Sequence, residues 1–206
     1  MIKKAFHDIT NISKRNIKLT IYKSSHRKKL IRWLYEVTRD FMYSQSTFGM
    51  TVLILDSYTQ KNSFDLSNYQ LLGLTALFIA AKLEEKNLKS IIDYVDVTDN
   101  LVTPKEILET EKIILLNTKI PFNIPHSYLK IWYLEKMQSE YSTVICREIL
   151  FCCFAYVMEK SNLNTNMYWI YLEGIRQAEV FLNRKNASED LKFYLNNNYI
   201  TKNILN

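Results

Sequence analysis

One apolar stretch near the middle of the chain constrains the fold more than any other feature. Within DLSNYQLLGLTALFIAAKLEEK (residues 65–86), every position from Leu71 to Ala81 is apolar except Gly73 and Thr75. The run is too short to cross a bilayer, which takes about 20 apolar residues. Because it has no polar face, it is typical of a helix that other helices enclose. It ends in KLEEK (82–86), so we predict a buried helix whose charged end is available to a partner.

The composition favours an all-α protein made of long helices. The 206 residues include only 3 Gly and 3 Pro, and 48% of them are hydrophobic. The basic N-terminus is not followed by the apolar core of a signal peptide. Cys146, Cys152 and Cys153 lack the spacing of a metal site and lie in one apolar segment. We therefore expect a protein of the nucleus and cytoplasm, with reduced core cysteines and no membrane partner.

Positive charge is concentrated at the N-terminus. Residues 1–32 contain ten Lys or Arg and only Asp8 as a counter-charge, so the net charge of this segment is +9. The net charge of the whole chain is +6. The remaining residues therefore carry −3. A body close to neutral disfavours a nucleic-acid surface that covers the whole domain, so we do not expect nucleic acid as a partner.

The spacing of apolar residues predicts two groups of helices joined by a linker. Residues 1–24 are interpreted as a flexible basic segment, 25–120 as a first helical domain and 126–206 as a second, shorter helical lobe. The intervening residues 121–125 begin and end with proline, which favours an extended linker. The predicted helices cover residues 25–43, 47–60, 65–86, 88–95 and 103–120 in the first group, and 127–137, 142–160, 165–184 and 188–197 in the second.

The fifth predicted helix has the clearest start signal. Its first residues are Thr103-Pro104-Lys105-Glu106. They offer a capping hydroxyl, a proline at the first helical position and a glutamate at the third. Ile107, Leu108 and Leu115 are predicted to form the apolar face of this helix.

Residues 26–125 resemble the cyclin box. HRKKLIRWLYEV, MTVLILDSY, NYQLLGLTALFIAAKLEEK and TPKEILETEKIIL are similar to the first, second, third and fifth helices of that family. The five positions that define the box are all present: Arg27, Asp56, Leu71, Lys82 and Glu111. The resemblance is closest to the mitotic A/B-type group. It implies the all-α cyclin fold, in which a five-helix box (25–120) is followed by a shorter helical lobe.

Arg27 and Asp56 are interpreted as a structural pair. Asp56 lies among apolar residues, where a lone carboxylate would be expensive to bury. The planar guanidinium of Arg27 is its natural partner, and the pair would clamp the first two helices together. The alternative is that the two are unrelated surface charges. Leu71 is interpreted as a core residue.

The resemblance implies that Lys82 and Glu111 lie side by side on the face that grips a cyclin-dependent kinase catalytic subunit. Lys offers donors and Glu offers acceptors, so the pair can satisfy both polarities of an exposed backbone. Alternatively, Lys82 complements its helix C-terminus and Glu111 is a solvated charge. The positions that contact kinase in the family are Lys82, Leu83, Glu84, Glu111, Lys112, Leu115 and Ile120. The apolar ones could equally belong to the core.

The groove with which mitotic cyclins dock substrates and inhibitors has an altered counterpart in this sequence. The corresponding positions are Leu30, Trp33, Glu36, Tyr69 and Gln70. Tyr69 replaces a leucine of the family, and Lys29 replaces an apolar residue of the groove floor. A lysine removes apolar contact and repels an arginine ligand. We therefore expect weak or altered docking of substrates or inhibitors that carry an Arg-x-Leu motif.

The N-terminal segment is similar to the destruction box of mitotic cyclins in a degenerate form. In KKAFHDITN (residues 3–11), Lys3 stands in place of an arginine and Phe6 in place of a leucine, while Ile9 and Asn11 fit the pattern. The resemblance implies recognition by the ubiquitin-ligase degradation machinery.

No residue pattern points to an enzyme, a cofactor or a metal site. The three histidines are scattered without ligand spacing, and so few glycines do not form a phosphate-binding loop. Glu84 and Glu85 are interpreted as solvated charges at a helix end. The leading hypothesis is a cyclin, a non-catalytic regulatory subunit that binds and activates a cyclin-dependent kinase in cell-cycle control. The alternatives are a TFIIB-like core domain that holds DNA and a cyclin-fold scaffold that activates no kinase.

Overall fold

The computed structural model describes residues 23–119, 143–161, 165–184 and 186–198. This part of the chain consists of helices and connecting turns and contains no strand, so the prediction of an all-α protein is confirmed. The chain divides into two compact units, Met1–Pro121 and Phe122–Asn206. Residues 1–22 of the predicted basic segment (1–24) lie outside the described residues. So do the linker at 121–125 and the helix predicted at 127–137.

The third helix is the centre of the first unit. It packs against the first, second and fifth helices, and its residues from 72 to 77 and from 79 to 81 are buried. The prediction of an enclosed helix is confirmed, except that Leu71 and Phe78 are only half-buried. The described helices of this unit are α1 (Lys23–Asp40), α2 (Gln45–Lys61), α3 (Tyr69–Glu84), α4 (Ile91–Asp96) and α5 (Pro104–Asn117), with a 3-10 turn (Leu66–Asn68) before α3.

Side-chain caps mark the starts of α4, α5 and the 3-10 turn before α3. Thr103 and Glu106 form the predicted capping box of α5: Thr103 Oγ1 accepts from Glu106 N at 3.3 Å, and Thr103 N donates to Glu106 Oε2 at 2.8 Å. A second capping box, between Ser90 and Asp93, makes α4 begin later than predicted. Asp65 caps the 3-10 turn, so the α-helical part of the central segment also begins later than predicted.

The apolar face predicted for α5 is only partly correct. Ile107 is buried, but Leu108 and Leu115 are 45% and 46% exposed. The buried stripe instead contains Ile107, Thr110, Glu111 and Ile114. One step along an α-helix turns the side chain by about 100°, which carries Leu108 and Leu115 away from the buried side. The helix therefore presents apolar side chains to solvent as well as to the core.

Helix α1 ends on a left-handed residue that is not glycine. Met42 has a φ of 59°. Its N–H donates to the carbonyl of Arg39 at 3.0 Å, and the N–H of Tyr43 donates to the carbonyl of Thr38 at 2.9 Å. This hydrogen-bond pattern is that of a Schellman motif, in which glycine is the usual left-handed residue. The Met42 side chain is 86% exposed.

The second unit is described as three helices, α6 (Thr143–Lys160), α7 (Met167–Arg184) and α8 (Glu189–Asn196). Helix α6 packs against both α7 and α8, and the rings of Phe154 and Tyr171 stack with centroids 4.5 Å apart. The cysteines Cys146, Cys152 and Cys153 are buried and are not joined in disulfides. Across the described residues of both units, no helix is both long enough and apolar enough to cross a membrane.

Candidate functional site

Lys82 and Glu111 meet where the last turn of α3 lies against the middle of α5. Lys82 Nζ forms an ion pair with Glu111 Oε1. The side chain of Lys82 is 37% exposed and that of Glu111 is 12% exposed, so the carboxylate is set deeper than the ammonium. An ammonium has three donors and a carboxylate has several acceptor sites. The pair can therefore present both a donor and an acceptor to the backbone of another protein.

An aromatic ring that sequence analysis did not single out supports this pair. Lys82 Nζ lies 4.3 Å from the ring centroid of Phe78, one turn earlier on α3. The Phe78 ring meets the ring of Tyr94 edge to face, with centroids 5.1 Å apart and planes at 80°. The hydroxyl of Tyr94 is in turn 3.0 Å from that of Tyr43. The spacing of Phe78 and Lys82, four residues apart on one helix, is the signal that could have predicted the contact.

The other described positions predicted to contact a kinase are open to solvent. Leu83 and Leu115 are each 46% exposed, and Glu84 and Lys112 are exposed too. These two leucines are therefore not core residues, which was the alternative for them. Ile120 lies outside the described residues.

Sequence analysis did not assign two further exposed leucines of α5 to the site; it placed Leu108 on the apolar face of the helix and did not single out Leu116. Leu108 is 45% exposed and Leu116 is 84% exposed. At about 100° per residue, both fall on the side of the helix that carries Lys112 and Leu115. Plotting α5 on a helical wheel would have shown that both leucines lie on the same side of the helix as Lys112 and Leu115, with Glu111 at the edge of that side. We call the resulting surface the α3–α5 face; its members are Lys82, Leu83, Leu108, Glu111, Lys112, Leu115 and Leu116.

The adjacent carboxylates Glu84 and Glu85 have different environments. Glu85 Oε1 accepts from Ser44 N at 2.7 Å and from Thr47 Oγ1, so it ties the end of α3 to the start of α2. The interpretation of Glu85 as a solvated charge is therefore wrong. Partial burial, together with the neighbouring Glu85, raises the pKa of the exposed Glu84.

Arg27 and Asp56 are brought together as a bidentate pair. Arg27 Nε donates to Asp56 Oδ1 at 2.9 Å and Nη2 donates to Oδ2 at 2.7 Å. Their side chains are only 9% and 10% exposed. A paired geometry of this kind satisfies the buried carboxylate through two charge-assisted hydrogen bonds and joins α1 to α2.

The residues of the predicted docking groove are packed rather than open. Leu30, Trp33, Tyr69 and Gln70 are buried, and Glu36 is half-buried. Burial and the nearby Asp40 raise the pKa of Glu36. Lys29, which replaces an apolar floor residue of the family, is exposed. The arrangement places a positive charge at the surface and leaves the apolar groove positions covered.

In the parts of the chain that the structure describes, no three His, Cys, Asp or Glu residues are grouped so that they could hold an ion.

Residues 5–123 match the family described as the cyclin N-terminal domain. Over 114 residues the chain is 36% identical to the G2/mitotic-specific cyclin-B1 of Caenorhabditis elegans, an alignment that covers 55% of this chain and 32% of that protein. It is 36% identical over 102 residues to cyclin-A1-2 of Arabidopsis thaliana, covering 50% and 23%. It is 29% identical over 175 residues to the G2/mitotic-specific cyclin-B2 of Bos taurus, covering 85% and 42%. The chain thus spans less than half the length of these relatives.

A solved structure supports the same fold. The chain superposes on a viral cyclin from herpesvirus saimiri with a TM-score of 0.64, covering 88% of this chain and 85% of that one. At 17% sequence identity, this likeness shows the fold alone. The prediction of a cyclin fold is confirmed.

Proposed function

Because the chain belongs to the cyclin family, we propose that it is the non-catalytic regulatory subunit of a cyclin-dependent protein kinase, which it binds and activates in cell-cycle control. Its similarity to B-type and A-type cyclins favours a kinase of the mitotic group as the partner. The nucleus and the cytoplasm are the compartments in which such a subunit would act.

The observation that carries this proposal is the composition of the α3–α5 face. An ion pair, Lys82 with Glu111, stands among four exposed leucines on two packed helices. Grouped apolar side chains with a few polar groups among them are typical of a surface that binds another protein. A nucleic-acid surface would instead be dominated by Lys and Arg.

In this proposal the chain contributes no catalytic group and acts only by binding the kinase. The Lys82 ammonium donates to backbone carbonyls of the kinase, and the Glu111 carboxylate accepts from its N–H groups. The leucines bury apolar surface of the partner at the same time. If the face fits the active arrangement, in which the kinase's own Lys–Glu ion pair is formed, binding shifts the kinase towards that arrangement.

A comparison of free-energy contributions indicates that the leucines of the face, more than its ion pair, supply most of this shift. Moving an equilibrium from 1:99 to 99:1 takes about 5.5 kcal/mol of differential affinity. An ion pair that is partly open to solvent contributes about 1 kcal/mol or less. Burying a fully exposed leucine contributes about 1.5–3 kcal/mol. We therefore expect a broad interface of about 2,000 Å² or more, centred on the leucines.

The proposal includes two further partners that the resemblance to mitotic cyclins implies. Because the groove residues are covered and Lys29 is exposed, we expect an Arg-x-Leu peptide to bind weakly; a titration that gives micromolar affinity would contradict this. For the ubiquitin-ligase machinery, removing residues 3–11 should prolong the half-life of the protein through cell division, and an unchanged half-life would exclude that role.

The decisive experiment mixes the full chain with a purified, inactive cyclin-dependent kinase and measures phosphorylation of a protein substrate. We expect strong activation by the wild-type chain and clearly weaker activation, at the same chain concentration, by the Lys82→Ala/Glu111→Ala variant. Removing both partners is preferable to removing one, since a single substitution leaves a poorly solvated charge behind. Circular dichroism and a melting curve establish that the variant is folded.

A matched control is available in the second unit. Lys192 Nζ lies 2.7 Å from Glu189 Oε1 on α8, so Glu189→Ala/Lys192→Ala removes a Lys–Glu pair that is not a member of the α3–α5 face and should leave activation intact. Equal activation by the Lys82→Ala/Glu111→Ala variant would exclude the site. Binding without activation would favour a scaffold. Failure to bind several such kinases would lead to a salt-titrated DNA-binding assay, as a TFIIB-like domain predicts.

A further inference from the structure

We propose that Phe78 is a positioning residue of the α3–α5 face: its ring holds the Lys82 ammonium in place for a partner's backbone. This inference rests on the proposed function, because it concerns how the same face achieves its affinity. It adds a role to a residue that neither the sequence pattern nor the family resemblance assigned to the site.

The geometry at the end of α3 supports this role. Phe78 and Lys82 lie four residues apart, so their side chains occupy neighbouring places on one side of the helix. Lys82 Nζ is 4.3 Å from the ring centroid, well within the range of about 6 Å over which a ring face attracts a cation. Phe78 is half-buried in a helix whose surrounding positions are buried, so its ring reaches the surface beneath the ammonium.

Other aromatic side chains fix the orientation of the Phe78 ring. Tyr94 packs edge to face against it at 5.1 Å and also against Phe41 at 5.0 Å, with planes at 80° and 70°. The Tyr94 hydroxyl is 3.0 Å from the Tyr43 hydroxyl, which also accepts a hydrogen bond from Lys89 N at 2.9 Å. A ring supported in this way cannot turn its edge to the ammonium without disturbing its neighbours.

Restraining the Lys82 ammonium before binding affects the affinity, because lysine has a long and mobile side chain. Ordering such a side chain on binding reduces the affinity, and ordering it beforehand avoids that loss. In this structure two groups restrain Lys82, the carboxylate of Glu111 and the ring of Phe78. When a partner's backbone competes for Glu111, the ring remains as the restraint. Phe78 therefore keeps the ammonium on the face while its ion pair is shared.

The first test measures kinase affinity in a double-mutant cycle. We expect Phe78→Leu, which keeps an apolar side chain and removes the ring face, to raise Kd about two- to fivefold, equivalent to about 0.5–1 kcal/mol. Phe78→Tyr keeps the ring and should bind like the wild type. In the Lys82→Ala/Glu111→Ala background, which leaves no unpaired charge, Phe78→Leu should have no further effect. The same loss in both backgrounds would mean that Phe78 acts through packing alone and would overturn the proposal.

The second test needs no kinase. Protons above the face of an aromatic ring resonate upfield, so the Hε protons of Lys82 should be shifted upfield in NMR spectra of the wild type and of Phe78→Tyr. In Phe78→Leu this shift should disappear while the melting curve still shows a folded chain. An unchanged Lys82 shift in Phe78→Leu would overturn the positioning role. If the chain binds no kinase, the proposed function is wrong, and this comparison alone decides whether the ring holds the ammonium.

Discussion

Met42 adopts a backbone conformation that most side chains disfavour. It supplies the left-handed residue of the Schellman motif after α1 with a φ of 59°, where glycine avoids the clash between Cβ and the following carbonyl. This clash costs about 1–2 kcal/mol. Because the side chain is 86% exposed, packing offsets little of that strain.

We expect Met42→Gly to raise the free energy of unfolding. Relief of about 1–2 kcal/mol of strain is reduced by about 0.4–1 kcal/mol, because glycine gives the unfolded chain more freedom. The net gain is then about 0.5–1 kcal/mol, measurable by urea denaturation. Met42→Ala is the matched control, since it shortens the side chain but keeps Cβ. A Gly variant that is no more stable than the Ala variant would contradict the expected net gain.

Asp56 and Met42 show which structural roles can be predicted from the sequence and which cannot. A carboxylate amid apolar neighbours has few acceptable arrangements, and Arg27 with its fork of donors was the natural partner; the structure contains that pair. At a helix end, by contrast, the sequence signal is a glycine or asparagine. Since Met42 is neither, the sequence placed the end of α1 three residues too late.

Among the helices, α5 likewise has one feature that the sequence predicts and one that it does not. Its start follows from Thr103, Pro104 and Glu106, because capping is local chemistry that a few adjacent residues determine. Its faces did not follow from the sequence. A periodicity argument assigns apolar residues to the core, whereas α5 has a narrow buried stripe and leucines that point to solvent. In the proposed function these leucines bind the partner.

The cap of α5 makes its stability depend on pH. Hydrogen bonds from the side chain and the backbone of Thr103 lower the pKa of Glu106. A carboxylate with a lowered pKa stabilises the fold above its unfolded pKa of 4.5, and this contribution is lost as the pH falls through the folded value. We expect the wild type to be more stable than Glu106→Gln at pH 7, with the difference shrinking below pH 4.5.

Denaturation of both chains across that pH range provides the measurement. Thr103→Ala serves as a second variant, because it removes the capping hydroxyl at every pH and should lower the free energy of unfolding by about 1 kcal/mol. A difference between wild type and Glu106→Gln that stays constant from pH 7 to pH 3 would show that the ionised carboxylate does not stabilise the cap.

For the whole molecule, family membership followed from widely spaced positions such as Arg27, Asp56, Lys82 and Glu111, and the matched region, residues 5–123, confirms it. The docking groove illustrates the limit of that approach. Comparing residue types showed that Lys29 and Tyr69 depart from the family. It could not show that the apolar positions are covered, because exposure depends on segments that pack on a residue from elsewhere in the chain.

The exposed leucines of the α3–α5 face also govern how the chain behaves without a partner. Two unbound copies can bury these side chains against each other, so we expect concentration-dependent self-association in sedimentation velocity, stronger at high salt, where charge repulsion is screened. Leu116→Gln should reduce it, whereas Leu172→Gln, at a leucine of the second unit that is 39% exposed, should not. Indistinguishable sedimentation of all three chains would contradict this. In the proposed function, the solubility of the chain would therefore depend on the supply of the partner that covers this face.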